Sequence, residues 1–176
     1  MEIRFLTSDD AAEYSRLRME ALEGDPEAFS SSAEEHRTLS VDEIENRLRD
    51  KDSEQFVVGA FAEGQLGATA GFYRDKGLKS RYKGNVWGVY VTPRLRGAGV
   101  AKKIMQKLLE RAAMIDGVEQ ILLSFSTTQA AAGKLYRSLG FETYGCEPRA
   151  LKIGDRYFDE EFVILRLDKF RLRQLP

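Results

Sequence analysis

The sequence is poor in the residues that build metal centres and nucleophilic triads. Cys146 is its one cysteine and His36 its one histidine, in 176 residues. One thiol cannot form an intrachain disulfide or a cysteine-cluster metal site. A Ser-His-Asp triad would have to use that one imidazole, and no nucleophile-elbow motif accompanies it. No metal is therefore expected. No apolar run approaches the roughly 18 residues of a membrane-crossing helix. Met1 to Phe5 starts as a strand, without a signal-peptide pattern, so the expected compartment is the cytosol. Charge of one sign is also lacking: 27 Lys and Arg against 28 Asp and Glu leave a net charge of −1. No global field draws nucleic acid or anionic membrane, and any bound anion must be held by a local feature. Lys169, Arg171 and Arg173 form the only late basic cluster, read as a solvated tail over residues 169–176. Residues 1–168 show no repeat or low-complexity linker and read as one domain.

What is present is an alternation of short strands and amphipathic helices. Residues 3–6 read as a strand. Thr7 to Asp10 supply a helix start before Tyr14, Leu17, Arg18, Ala21 and Leu22, which recur at helical spacing. Pro26 and the serine run 30–32 mark a loop, and Ser40 caps a second helix carrying Val41, Ile44 and Leu48. Residues 55–62 and 65–73 read as a hairpin around Glu63-Gly64. Residues 85–92 form a strong strand stopped by Pro93. From Gly97 the period becomes helical, with Val100, Ile104, Leu108 and Ala112 on one stripe. Residues 119–126 are a buried strand, 128–139 a helix, and 141–153 with 156–168 two further strands. The order β-α-α-β-β-β-α-β-α-β-β predicts an α/β domain with a mixed sheet.

The informative unit is a strand, then Arg94-Leu95-Arg96-Gly97-Ala98-Gly99, then a helix. No Ser, Thr, Asp or Asn caps that helix, so its first N–H groups stand open. Open N–H groups and the helix dipole favour an anion, and a pyrophosphate fits. Arg94 and Arg96 add positive charge, and Gly97 and Gly99 allow close approach. Glycine spacing alone is equally compatible with a plain strand-to-helix turn. A Walker-type loop would end in Gly-Lys-Ser/Thr, whereas Lys102 and Lys103 follow Val100-Ala101. A dinucleotide fingerprint would place Gly at position 102, which is Lys.

The segment Val89-Tyr90-Val91-Thr92-Pro93-Arg94-Leu95-Arg96-Gly97-Ala98-Gly99-Val100-Ala101 resembles the acetyl-CoA-binding motif of the GNAT N-acetyltransferase family. A second segment, from Gln129-Ala130-Ala131-Ala132 through Leu135-Tyr136 to Gly140-Phe141, resembles that family's Asn-x-x-Ala-x-x-Leu-Tyr-x-x-x-Gly-Phe signature. The two lie about 30 residues apart with a strand between them, and the element order matches over nearly the whole chain.

The resemblance implies a mostly antiparallel sheet flanked by helices, with splayed central strands. It implies that Val89, Tyr90 and Val91 pair through their backbone with the pantetheine arm of acetyl-CoA. It places the pyrophosphate on the N–H groups of Arg96, Gly97, Ala98, Gly99, Val100 and Ala101. Gln129, where the family usually has Asn, becomes a cofactor contact. Tyr136 becomes the catalytic phenol beside the thioester sulfur, and Lys134 or Arg137 could reach the 3′-phosphate. The implied reaction is direct transfer of an acetyl group to a primary amine of a small molecule, peptide or protein. Its partners are acetyl-CoA and an amine acceptor, and a homodimer is common among relatives. Some members carry a glutamate on the strand before the loop; Asn85-Val86-Trp87-Gly88 has no carboxylate. The base is left open, with Glu34, Glu35, His36 and Asp159 as weak candidates, and Asp25 to Ser31 as a lid over the acceptor. A catalytically idle acetyl-CoA sensor is the competing reading.

Overall fold

The computed structural model describes residues 1–49 and 54–172. Among these, seven strands form one sheet: β1 (Glu2–Phe5), β2 (Gln55–Ala62), β3 (Gln65–Arg74), β4 (Lys83–Val91), β5 (Gln120–Ser126), β6 (Glu142–Ile153) and β7 (Arg156–Arg166). Their spatial order is β1-β2-β3-β4-β5-β7-β6. Neighbours are antiparallel except β4 and β5, which run parallel. A parallel neighbour needs a crossover, and the helix α4 (Val100–Ala113) supplies it.

Helices cover both faces. On one, α4 inserts Val100, Ile104, Met105, Leu108, Leu109 and Ala112, all buried, against the apolar side of β2 to β5. This row follows the 3.6-residue period, and each large side chain buried contributes about 1.5–3 kcal/mol. The short helix α5 (Ala130–Ser138) adds Tyr136 to the same core. On the opposite face lie α1 (Ala11–Gly24) and α3 (Val41–Leu48). Their Tyr14, Leu17, Ala21, Ile44 and Leu48 form a second core with Val57, Phe61, Leu66 and Tyr90. Alternation along each strand thus feeds two cores, one per face.

Three local readings change. The serine loop contains a further helix, α2 (Ala33–Arg37), opened by a reciprocal cap between Ser32 and Glu35. Five residues are too few for periodicity to reveal, although Ser-x-x-Glu is a capping box. The helix expected from Gly97 begins at Val100, after a 3₁₀ turn over Pro93–Leu95. The last strand ends at Arg166, and α6 (Leu167–Leu172) buries Phe170 in the α4-side core. Residue 170 thus packs with the domain where a solvated tail was expected; Arg173 lies outside the described residues.

Candidate active site

The site begins with a failure of pairing. The ladder between β4 and β5 covers only Lys83, Gly84 and Asn85 against Gln120, Ile121 and Leu122. Beyond it β4 stays on β3 as far as Val91, and β5 stays on β7 as far as Ser126. The two facing edges therefore part from Val86 and Leu123 onward. A bulge on β4 helps to turn them. Gly71 lies opposite Trp87 and Thr69 opposite Tyr90, which leaves one extra residue on β4. Gly88 takes φ +61° there, a conformation suited to glycine. The Thr69 hydroxyl fixes the bulge by donating to the Gly88 carbonyl at 3.2 Å. An unpaired strand edge of this kind can accept an extended chain as an added strand.

The open edge leads into the glycine loop. Gly97 and Gly99 have φ +78° and +73°, and a methyl added at either would meet nothing within 4 Å. Gly99 is the N-cap of α4 and offers no side-chain cap. The bond from the Lys103 N–H to the Gly99 carbonyl, 3.2 Å, starts the helix, so the N–H groups of Val100, Ala101 and Lys102 precede its first bonded turn. The Arg96 N–H is already used, donating to the Pro93 carbonyl at 3.2 Å.

The two arginines differ from their expected use. Arg94 donates to Gln65 at 3.0 Å, the first residue of β3. Arg96 folds back over the strand end: its Nε donates to the Val91 carbonyl at 2.9 Å and its Nη2 to Asp25 at 2.6 Å. Partial burial pulls the pKa of Arg96 down, but the hydrogen bond and charge of Asp25, joined by Tyr90, together outweigh it and raise the pKa.

The splay, the loop and α5 enclose one cavity of about 400 Å³. Of the residues expected at the cofactor site, Val89, Tyr90, Val91, Arg96, Gly97, Gly99, Val100, Ala101, Gln129 and Tyr136 line it, and Ala98 does not. Lys134 is exposed and Arg137 pairs with Glu161; neither lines the cavity. Gln129 is the N-cap of α5, so its side chain and that of Tyr136 share a helix face seven residues apart. Tyr136 is packed between the rings of Phe125, 5.4 Å, and Phe141, 6.0 Å. Burial pushes its pKa well above 10, so the phenol stays protonated and is a donor.

The far end of the cavity faces α1 and the segment after it. Asp25, Ala28 and Phe29 line it, and the 3₁₀ turn Pro26–Ala28 packs against β5 and β6. Phe29 both covers the cavity and packs edge-on to Tyr90, at 6.3 Å. The base candidates from sequence do not gather here. Glu35 caps α2 through the Ser32 N–H at 2.8 Å, and Glu34 lies 3.8 Å from Arg37. His36 is buried with its Nε2 at 3.2 Å from the Ser15 hydroxyl, and Asp159 accepts the Arg149 N–H at 2.8 Å.

A carboxylate missed in the sequence, Glu160, does not itself line the cavity but is linked to it through Ser124. Ser124 and Ser126 share a strand face, and Glu160 stands opposite Ser126 on β7. Ser124 lines the cavity. Burial raises the pKa of Glu160; a hydrogen bond from Ser124 opposes the shift and Glu147, opposite it on β6, adds to it. No local pattern marks Glu160, because only the β5–β7 register brings it beside Ser126. Among the described residues no cluster of three His, Cys, Asp or Glu could hold a metal ion.

Known proteins resemble this chain in sequence and in fold. Two curated relatives, each an L-methionine sulfoximine/L-methionine sulfone acetyltransferase, from Pseudomonas paraeruginosa and Pseudomonas aeruginosa, are 35% identical over 83 residues. That match covers 47% of this chain and 48% of each relative, so the chain spans about half the length of the curated relatives it matches. A GNAT-family acetyltransferase from Streptococcus pneumoniae superposes with a TM-score of 0.83 at 22% identity, over 94% of this chain and 98% of that one. A putative acetyltransferase from Salmonella typhimurium, solved with acetyl-CoA, gives 0.81 at 24% identity, over 96% and 94%. Both show the same fold. No helix among the described residues is long and apolar enough to cross a membrane. The model of the acetyltransferase (GNAT) family matches residues 16–141, and the chain belongs to that family.

Proposed function

We propose that this protein transfers the acetyl group of acetyl-CoA directly to a primary amine. One observation carries the reading: the open β4 edge, the uncapped start of α4 and the Tyr136 phenol line a single cavity. That cavity suits an elongated ligand with an extended polar arm and a polyanionic middle. Val89 to Val91 offer the strand edge for the arm. The N–H groups of Gly97 to Lys102 and the positive end of α4 suit the pyrophosphate, where a capping side chain would have competed. Acetyl-CoA supplies a thioester carbonyl open to attack and a thiolate leaving group.

The chain's own residues supply orientation and proton transfer. Gln129 and Ala132 line the wall of the cavity together with Tyr136. Tyr136, held protonated by burial, donates its proton toward the sulfur position. A protonated amine is not nucleophilic, so a base must accept its proton. Glu160 suits that task, since a carboxylate with raised pKa holds a proton more firmly than an ordinary one. The same reading carries the cytosolic setting expected from sequence.

The test is acceptor-dependent release of CoA thiol by the full chain, over amino acids, polyamines, aminoglycosides and peptides. Acetyl-CoA is expected to raise Tm more than ATP or NAD does. No shift with acetyl-CoA would overturn the donor assignment. A shift with no acceptor across the panel would favour the idle sensor.

A further inference from the structure

The reaction assigned above leaves one buried charge unexplained. Arg18, on the inner face of α1, is only 8% exposed. Its Nε and Nη1 have no hydrogen-bond partner, and neither does the Tyr14 hydroxyl one turn earlier. Among the described residues these are the buried side-chain nitrogens and oxygens left in that state. The charged and titratable groups acting on Arg18 are Tyr14 and Arg47, and Arg18 in turn acts on His36. Among the described residues the groups that act on it or feel it are thus a phenol, a second guanidinium and an imidazole, and none is a carboxylate. A guanidinium removed from water with no counter-ion is costly, and a bound anion would offset that cost.

The position says which ligand. The Arg18 guanidinium stacks on Phe29, 4.4 Å from the ring centroid. Its Nη1 lies 3.8 Å from where a Cβ on Gly88 would stand. Phe29 and Gly88 both line the acceptor end of the cavity. Trp87 lines that end too, and also a neighbouring recess lined by Arg47. Resting on the acetyltransferase reading, we infer that Arg18 anchors a carboxylate carried by the acceptor amine, so that the acceptor is of amino-acid type. A planar guanidinium with unused donors matches a carboxylate in shape and charge. Arg18 stands just behind the lining, and Gly88 puts no side chain between the cavity and Nη1.

The experiment uses the full chain with L-amino acids and the matching α-amides, which keep the amine and lose the carboxylate. The carboxylate forms are expected to show kcat/KM higher by on the order of 100-fold, the range of a charge-assisted hydrogen bond. Arg18→Met should erase the difference, chiefly through KM, and Arg18→Lys should restore part of it. In the presence of CoA, the carboxylate forms should raise the Tm of the wild type and not of Arg18→Met. Because a buried unpaired charge is removed, the Tm of Arg18→Met alone should hold or rise; a structural arginine would lower it. Equal use of both forms by the wild type, or an unchanged preference in Arg18→Met, overturns the inference. If Arg18→Met does not fold, the wild-type shifts and Arg18→Lys still decide. The shift caused by acetyl-CoA alone is scored separately: its loss sinks the donor assignment, while its persistence without a carboxylate preference sinks only the role of Arg18.

Discussion

Asp25 holds Arg96 at 2.6 Å, and through it ties the segment after α1 to the end of β4. The same guanidinium bonds the Val91 carbonyl, so one side chain spans the glycine loop, the open strand edge and the acceptor cover. The pair is part-exposed, and pairs of this kind contribute about 0.2–1 kcal/mol to stability. Its larger effect is on position. Asp25→Asn is expected to change Tm little, to raise the acceptor KM several-fold and to leave acetyl-CoA affinity within about 3-fold. Steady-state kinetics with both substrates varied checks this. A large change in donor affinity with no change for the acceptor would place Asp25 on the wrong side of the cavity.

Tyr136→Phe keeps the ring between Phe125 and Phe141 and removes only the hydroxyl. If the phenol protonates the departing thiolate, kcat should fall on the order of 100-fold or more, with the acetyl-CoA dissociation constant nearly unchanged. Because burial raises the pKa of the phenol, its protonated form persists above pH 10, and no alkaline limb below that pH should belong to it. Unchanged turnover would leave Tyr136 as a core aromatic.

Glu160 must be ionised to accept a proton, and its pKa is raised by burial and by Glu147. The acid limb of kcat/KM should therefore lie above 4.5, the ordinary value for glutamate. Glu160→Gln should abolish that limb and lower kcat. Glu147→Gln, by removing the repulsion, should move the limb down. A pH profile identical in all three proteins would remove the carboxylate from the proton path.

The cofactor side of this site was far more legible than the acceptor side. The glycine loop, the strand before it and the Gln129–Tyr136 helix are each contiguous, so their order could be read from spacing, and the family resemblance of those segments then suggested a ligand for them. The side proposed for the acceptor is assembled from α1, the turn at Pro26–Ala28, β5 and β6, elements scattered along the sequence. Arg18 fell on the apolar face of α1 by period alone, but its missing counter-ion is a property of tertiary packing. Glu160 is one residue from Asp159, one of the weak candidates named from sequence; strand alternation sends the two to opposite faces. The splay needed both the bulge at Gly88 and the ladder ending at Asn85, and neither leaves a mark in composition.

His36 is the one histidine, so its imidazole titration can be followed by NMR without assignment. Burial, and then the positive charges of Arg18 and Arg47, lower its pKa below 6.5. The folded state thus favours neutral imidazole, while the unfolded chain binds the proton near its ordinary value. The resulting stability is present above pH 6.5 and lost as pH falls through and below it. Wild-type Tm should decline on acidification through this window, and His36→Gln should flatten that decline. A histidine titrating above 6.5 would contradict the burial around Ser15.

Two glycines give opposite expectations for one substitution. Gly99 sits at φ +73° with open space around its Cα, so a methyl meets no neighbour and the cost is purely conformational. Gly99→Ala should destabilise by about 1–2 kcal/mol, which lowers Tm by about 2–4 °C per kcal/mol in a chain of this size. It should also weaken acetyl-CoA, because the N–H groups that open α4 are aimed by that residue. Gly24, at the end of α1, has equally open space but no positive φ. Gly24→Ala should be neutral or stabilising by up to about 1 kcal/mol, since it only narrows the unfolded ensemble. Thermal unfolding of the two variants, with and without acetyl-CoA, separates backbone conformation from packing. If Gly99→Ala matched Gly24→Ala in both stability and ligand response, the left-handed residue would have no part in holding the pyrophosphate.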